Sequence, residues 1–386
     1  MILRPYGIVI AGRLEVGLEL LLNEGAVTEI RPHTGIPENF VVSPAFVNAH
    51  SHLEYRGMQG KLQSTEYWPW IREITEMKRA ETDIRVRRDT IAAAHENHKT
   101  GVGIVAEHSD RPYAATALVS AGLNGVVFQE TITFFEQKSR LEKLASIRQK
   151  AAEQAGILRK TVFLTPHAYH TVDRETLADF GRSREPISIH VAETPLESQF
   201  TRDGSGPIGD FYRQVGFDVN PTGKDIVPTL ADLGLVRYGA QFVHCCDISP
   251  ADIQLLAANK VSVAHCPRSN TRLKCPIAPI REMLDAGIPV GLGLDSPASS
   301  GPIDMFDEMR EALKVSLHRG KPLDPEEVWR MATSAGANSL QFVLGPQPTW
   351  DIFVGSKVPL IRIAVPNAAT TAELIERATP AQVSWA

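Results

Sequence analysis

Eight apolar runs recur along the chain, and they constrain its fold more than any other feature. They lie at Phe46-Val47, Gly103-Ile104-Val105, Gly125-Val126-Val127-Phe128, Val162-Phe163-Leu164, Ile187-Ser188-Ile189, Gln241-Phe242-Val243, Val261-Ser262-Val263 and Val290-Gly291-Leu292. Continuous runs without polar alternation mark strands buried on both faces, as in a parallel sheet. Helical patterns separate them, near Trp68–Arg79, Arg87–Lys99, Leu141–Gly156, Pro250–Asn259, Ile277–Ala286 and Asp304–Leu317. A doubly wound open sheet gives a similar alternation. The count of eight, with polar residues at many strand ends, favours an α/β fold of the (β/α)8 barrel type.

The two chain ends read differently. Ile8-Val9-Ile10, Leu18-Glu19-Leu20-Leu21 and Val27-Thr28-Glu29-Ile30 look like short strands broken by turn residues. Near the other end, Asp351-Ile352-Phe353-Val354 and Leu360-Ile361-Arg362-Ile363 are expected to add strands to them. The expected division is a small β-sandwich element from residues 1–42 plus 343–386, and a catalytic barrel over 43–342.

Composition excludes several classes of partner. The 386 residues carry a net charge of −5. That leaves no basic footprint for nucleic acid and no polybasic patch for a membrane surface. No apolar run reaches the roughly 20 residues of a membrane span. The start, Met1-Ile2-Leu3-Arg4-Pro5, lacks a basic segment followed by an apolar one. A soluble, cytoplasmic protein is expected. Cys245, Cys246, Cys266 and Cys275 form no C-x-x-C pair, so neither a disulfide framework nor a Cys-type zinc site is expected.

In a barrel, the C-terminal ends of the strands converge on one site. The first run ends in His50 and His52, the fifth in His190 with Glu193 beyond, and the sixth in His244. The seventh ends in His265 and the eighth in Asp295. Side chains two apart on a strand share a face, so His50 and His52 can aim at one point. His and Asp are ligands for zinc, or for iron in a similar site. His50, His52, His190 and Asp295 are assigned to one divalent ion, with zinc expected and iron or manganese as alternatives. Such an ion lowers the pKa of a water so that hydroxide exists near neutral pH. Glu193 would take the water's proton and return it to a leaving group. His244 would hydrogen-bond the developing oxygen, with Asp295 beside it. His265 is expected to orient its neighbours. The fourth run ends without a Lys, which argues against a second, bridged ion.

These motifs resemble the amidohydrolase superfamily. Pro-Ala-Phe-Val-Asn-Ala-His-Ser-His (44–52), Thr-Pro-His-Ala-Tyr (165–169) and His-Val-Ala-Glu-Thr (190–194) carry the likeness. It continues through Val-His-Cys (243–245), Ala-His-Cys-Pro-Arg-Ser-Asn (264–270) and Gly-Leu-Asp-Ser-Pro-Ala-Ser (293–299). The nearer likeness is to the branch of mononuclear base and nucleoside deaminases and triazine chlorohydrolases. His-Leu-Glu (52–54) and the helix with Trp68 and Trp70 resemble aminodeoxyfutalosine deaminases. The resemblance implies a metal-dependent enzyme that deaminates a small heteroaromatic amine, an adenine-type nucleoside first. The alternatives on the same site are a triazine chlorohydrolase, a free-base deaminase of guanine or cytosine type, and an amidase. A homodimer is compatible with it. Substrate contacts are expected from Glu54, Trp70, Glu130, His167, Tyr169, His170, His265, Arg268, Asn270 and Ser296.

Overall fold

The computed structural model describes residues 1–345 and 350–386. All eight apolar runs are strands: β1 (Phe46–Ser51), β2 (Val102–Ser109), β3 (Asn124–Thr131), β4 (Phe163–Pro166), β5 (Ile187–Val191), β6 (Ala240–His244), β7 (Ser262–His265) and β8 (Val290–Leu292). Every residue of β1, β2, β5, β6, β7 and β8 is buried, which is why these runs lack polar alternation. The strands pair in parallel as two arcs, β4-β3-β2-β1 and β5-β6-β7-β8.

Two bridges close the arcs into a barrel, Ala168 with His190 and Ser51 with Asp295. At the second seam the Asp295 amide donates to the His50 carbonyl at 3.0 Å, and the His52 amide donates to the Asp295 carbonyl at 3.0 Å. At the first, the His190 amide donates to the His167 carbonyl at 3.0 Å. The bonds that shut the barrel are thus made by the backbone of residues that the sequence marks as candidate ligands and of their neighbours. Close approach at the β1–β8 seam needs small residues. A Cβ on Gly291 would sit 2.6 Å from Ser339 Oγ and 2.8 Å from the Ala49 Cβ.

The chain ends build a small sheet beside the barrel. Its strands run in the order Val383–Trp385, Leu360–Ile363, Glu38–Pro44, Pro5–Ile10 and Arg13–Val16. A three-stranded companion joins Ile2–Leu3, Leu18–Asn23 and Ala26–Pro32. One expected strand is absent. Asp351-Ile352-Phe353-Val354 forms bends and a turn, and the Asp351 carboxylate accepts from the Ala11 amide at 2.9 and 3.0 Å. The segment pins two parts of the chain together by a side chain. Its burial rests on Ile352 while Phe353 and Val354 stay exposed. Val383–Trp385, which the sequence reading passed over, supplies the edge strand instead.

The six expected helices form, with ends shifted by a few residues, as in α1 (Tyr67–Ala80) and α2 (Asp83–Lys99). Between β5 and β6 three short helices, Pro195–Asp203, Gly206–Gln214 and Ile226–Asp232, were not expected. No helix among the described residues is long and apolar enough to cross a membrane.

Candidate active site

Four side chains meet at the C-terminal end of the barrel. His50 is fully buried, and neither of its ring nitrogens has a hydrogen-bond partner. Its Nε2 lies 3.7 Å from Asp295 Oδ1, and His52 Nε2 lies 3.9 Å from the same oxygen. His52 Nδ1 donates to the His108 carbonyl at 3.0 Å, and His190 Nδ1 donates to the His167 carbonyl at 2.9 Å. A carbonyl only accepts, so both Nδ1 atoms carry hydrogen and both Nε2 atoms present a lone pair. Those two Nε2 atoms face each other at 3.2 Å. Two lone pairs at that distance repel unless something positive lies between them.

The protonation states suit a cation. Burial, then the neighbouring imidazoles, hold His50 and His52 well below the ordinary histidine value. Burial pushes His190 down to about 4. Neutral imidazoles are the ligand form. The groups that could hold an ion overlap at one place: His50 with His52 and Asp295, His50 with His190 and His244, and His52 with His190 and Glu130. The residues therefore fit a divalent ion, on the orphaned nitrogens of His50 and the opposed lone pairs of His52 and His190.

Glu193 and His244 lie beside that centre. His244 Nε2 is 3.6 Å from Glu193 Oε2. The Glu197 carboxylate accepts from the Ala192 amide at 3.1 Å and the Glu193 amide at 2.7 Å, which fixes the backbone that carries Glu193. Burial, then the charge of Asp295, raises the Glu193 carboxyl well above its ordinary value. His244 and Asp295 hold left-handed backbone conformations, φ 76° and 52°. That is uncommon for residues with a side chain and is found where a site dictates direction. Asn270 Nδ2 donates to His244 Nδ1 at 3.0 Å, so the His244 proton sits on Nε2, facing Glu193. Cys275 Sγ approaches Glu193 Oε1 at 3.9 Å. Neither Cys275 nor Glu197 was singled out in the sequence. Nothing in the spacing of one thiol or one loop carboxylate signals such a contact.

The bond to Asn270 gives a first expected result. Asn270→Ala leaves the His244 ring free to turn. Losing one buried hydrogen bond costs on the order of 1 kcal/mol, so kcat should fall about fivefold while metal content holds. Unchanged kcat in steady-state assays would show that another contact orients His244.

A cavity of about 340 Å³ opens over this centre. It lies within the size range of small-molecule sites. Trp70, His167, His170 and Ser296 line it together with His52, His190, Glu193, His244 and Asp295. Glu130 lies under the floor. It is 1% exposed, neither oxygen has a hydrogen-bond partner, and Oε1 is 4.0 Å from His167 Nε2. Ser296 also caps the short helix Pro297–Ser300, accepting from the Ser299 amide.

Other expected contacts fall elsewhere. Glu54 is engaged in holding the loop after β2, accepting from Ser109 Oγ at 2.8 Å and the Arg111 amide at 3.0 Å. Arg268 donates to the Pro302 carbonyl at 2.9 Å and pairs with Glu308 at 3.8 Å, away from the cavity. Tyr169 lines a neighbouring cleft of about 800 Å³, which holds no member of the ligand set. His265 is buried at the end of β7 with neither ring nitrogen bonded, and it faces a small void beside Arg281 and Arg319. It does not line the cavity.

A model of the amidohydrolase family matches residues 41–356, and the chain belongs to that family. It is therefore an enzyme of the class that hydrolyses carbon–nitrogen bonds other than peptide bonds. Among curated proteins it is similar to a 5-methylthioadenosine/S-adenosylhomocysteine deaminase of Natronomonas pharaonis. The two are 30% identical over 322 residues, which cover 80% of this chain and 70% of that one. Among solved structures it resembles a zinc-bound adenosine deaminase of Xanthomonas campestris, with TM-score 0.81 and 22% identity, covering 99% of this chain and 90% of that one. It equally resembles the Helicobacter pylori aminofutalosine deaminase in complex with methylthio-coformycin. There the TM-score is 0.81 and the identity 19%, covering 99% of each chain.

Proposed function

We propose that this enzyme hydrolytically deaminates an adenine-type nucleoside, releasing ammonia. The observation that carries the reading is the pair of facing Nε2 lone pairs of His52 and His190, with Glu193 and His244 poised beside them. The deaminase names of the relatives support it. We assign His50, His52, His190 and Asp295 to one divalent ion, zinc first. When bound, the ion supplies a water acidic enough to attack near neutral pH.

The remaining work belongs to the chain. Glu193 takes the proton of the attacking water. The new C–O bond forms at the ring carbon that bears the amine. Glu193 then returns the proton to the amine nitrogen, the C–N bond breaks, and ammonia leaves. A raised carboxyl pKa lets one group hold the proton between these steps. His244, with its hydrogen on Nε2, donates to the oxygen as charge develops there. Trp70 offers a flat apolar wall to the ring. We assign His167, which lines the cavity with Glu130 buried behind it, to polar groups on the ring or sugar.

The substrate we favour is aminodeoxyfutalosine, followed by methylthioadenosine and adenosylhomocysteine. The segment between β1 and β2, with α1 and α2, is long enough to cover a ribose and its 5′ substituent. The test is ammonia release from these nucleosides beside adenine, guanine, cytosine and a chlorotriazine. The nucleosides are expected to turn over. Activity confined to the free bases or the triazine would defeat the nucleoside reading.

A further inference from the structure

Asp295 is fixed in two separate ways, by its backbone and by its side chain. The backbone is tied into the barrel seam. Its amide donates to the His50 carbonyl and its carbonyl accepts from the His52 amide, both at 3.0 Å. One residue earlier, the Leu294 amide donates to Asn48 Oδ1 at 2.9 Å, and Asn48 Nδ2 donates to Asn97 Oδ1 at 3.2 Å. These bonds set the point from which the side chain starts. They leave the carboxylate free to turn, because the last torsion of an Asp side chain has a broad, roughly two-fold preference.

One contact breaks that symmetry. Oδ1 lies toward His50 and His52, at 3.7 and 3.9 Å from their Nε2 atoms, while Oδ2 accepts from Ser299 Oγ at 3.0 Å. We propose that Ser299 is a positioning residue of the metal site: its hydrogen bond to Oδ2 turns Oδ1 to the ion and keeps Asp295 a one-oxygen ligand, so that a position for water stays open. The proposal rests on the assignment of Asp295 as a ligand.

The run Asp295-Ser296-Pro297-Ala298-Ser299 builds this contact. Ser296 caps the helix Pro297–Ser300, and Pro297 takes its first position, where a fixed φ suits the turn. That turn brings Ser299 back over Asp295. Ser296 and Ser299 are both buried, so solvent does not compete for their hydroxyls.

The direction of each hydrogen follows. An ionised carboxylate only accepts, so Ser299 spends its one hydrogen on Oδ2. Its Oγ also lies 3.0 Å from Ser296 Oγ, and that bond therefore uses the Ser296 hydrogen. Ser296 Oγ in turn accepts from the Ser299 amide at 3.2 Å. The chain of donors ends on Asp295, and bonds aligned in this way polarise one another. Ser296 lines the cavity, yet it has no hydrogen left for a bound molecule and meets a substrate as an acceptor alone. Ser269, on the helix Pro267–Arg272, is the other buried hydroxyl beside this carboxylate, but its Oγ has no hydrogen-bond partner.

The experiment strips the unaltered protein, Ser299→Ala and Ser269→Ala with a chelator. Kd for zinc is then measured by competition with a chromophoric chelator, and Tm is taken for each stripped protein. Losing a partner that orients a metal ligand costs about 10–100-fold in metal affinity. That loss is expected in Ser299→Ala, with the Tm of the stripped protein held, and a smaller one in Ser269→Ala. Cobalt bound in place of zinc should show shifted visible bands in Ser299→Ala, a change that a merely structural serine would not cause. Unchanged Kd and unchanged bands in Ser299→Ala would overturn the proposal while leaving the ligand set standing. An equal loss in Ser269→Ala would also overturn it, because the effect would then belong to the pocket and not to this hydrogen bond. Failure of the unaltered protein to bind zinc, or cobalt in its place, would sink the ligand assignment and this proposal with it.

Discussion

Glu193→Gln should lower turnover by about 10²–10⁴-fold, the contribution of a positioned general acid–base group, while leaving the ion in place. The substitution keeps the side chain's length and shape. Its neighbours are polar groups that tolerate an amide: His244 Nε2 at 3.6 Å and Cys275 Sγ at 3.9 Å. The backbone amides of Ala192 and Glu193 remain tied to Glu197, so the loop has no reason to move. What the variant loses is a group that can both take and return a proton. An amide does neither near neutral pH. Because proton transfer serves both the attack and the departure of ammonia, the loss should appear in kcat with little change in KM. Steady-state kinetics with metal analysis on the same preparation would check it. Near-normal turnover would pass the proton role to His244, the titratable group that faces Glu193.

Much of this site was readable from the chain because barrel architecture converts a one-dimensional pattern into a place. Parallel strands buried on both faces must be written as apolar runs, so β1 to β8 stand out. A polar residue just after such a run has one direction to go. His50, His52, His190, His244 and Asp295 were legible for that reason. The same rule overreached at His265. It ends β7 as His244 ends β6, yet it lines a small void beside Arg281 and Arg319 and not the cavity. Strand-end position fixes the backbone, while the side chain's direction depends on the pleat and on φ.

Loop residues were harder. Glu54 follows two expected ligands and looks like a substrate contact, but the turn after β2 uses it to satisfy backbone amides. A buried turn needs such acceptors, and no local pattern announces which carboxylate supplies them. Tyr169 and His170 are adjacent in a short helical turn, and adjacent positions point apart. His170 lines the cavity over the centre, and Tyr169 lines the cleft next to it. The three short helices before β6 carry Pro195, Gly206, Pro207, Gly209 and Pro228, residues that read as turn signals in the sequence. Asp351-Ile352-Phe353-Val354 shows the reverse error, an apolar cluster whose shape is set by one carboxylate reaching the Ala11 amide.

Purified protein should carry about one divalent ion per chain, and His50→Ala should lose both that ion and detectable turnover. Among the described residues, each of the three potential ion-holding groups draws on His50, His52 or His190, and two of the three contain His50. They describe one centre with a choice of fourth and fifth partners, so one equivalent is expected. His50 is the least replaceable member. It is fully buried, and both ring nitrogens lack any other partner. A buried polar group left unsatisfied costs about 1–3 kcal/mol, which the ion offsets in the loaded protein. Binding to the folded state alone also stabilises by mass action, so a chelator should lower Tm as well as activity. Adding the ion back should restore both. Elemental analysis, thermal melts and the ammonia assay would be run together. Because His50→Ala opens a hole beside β8, Asp295→Asn serves as the second variant, with similar volume and a weaker donor. If both variants fold by circular dichroism and keep a full equivalent of metal, the ligand assignment is wrong. Two tightly bound equivalents in the unaltered protein would point to Glu130, whose carboxylate oxygens have no hydrogen-bond partner and which groups with His52 and His190, as the holder of a second ion.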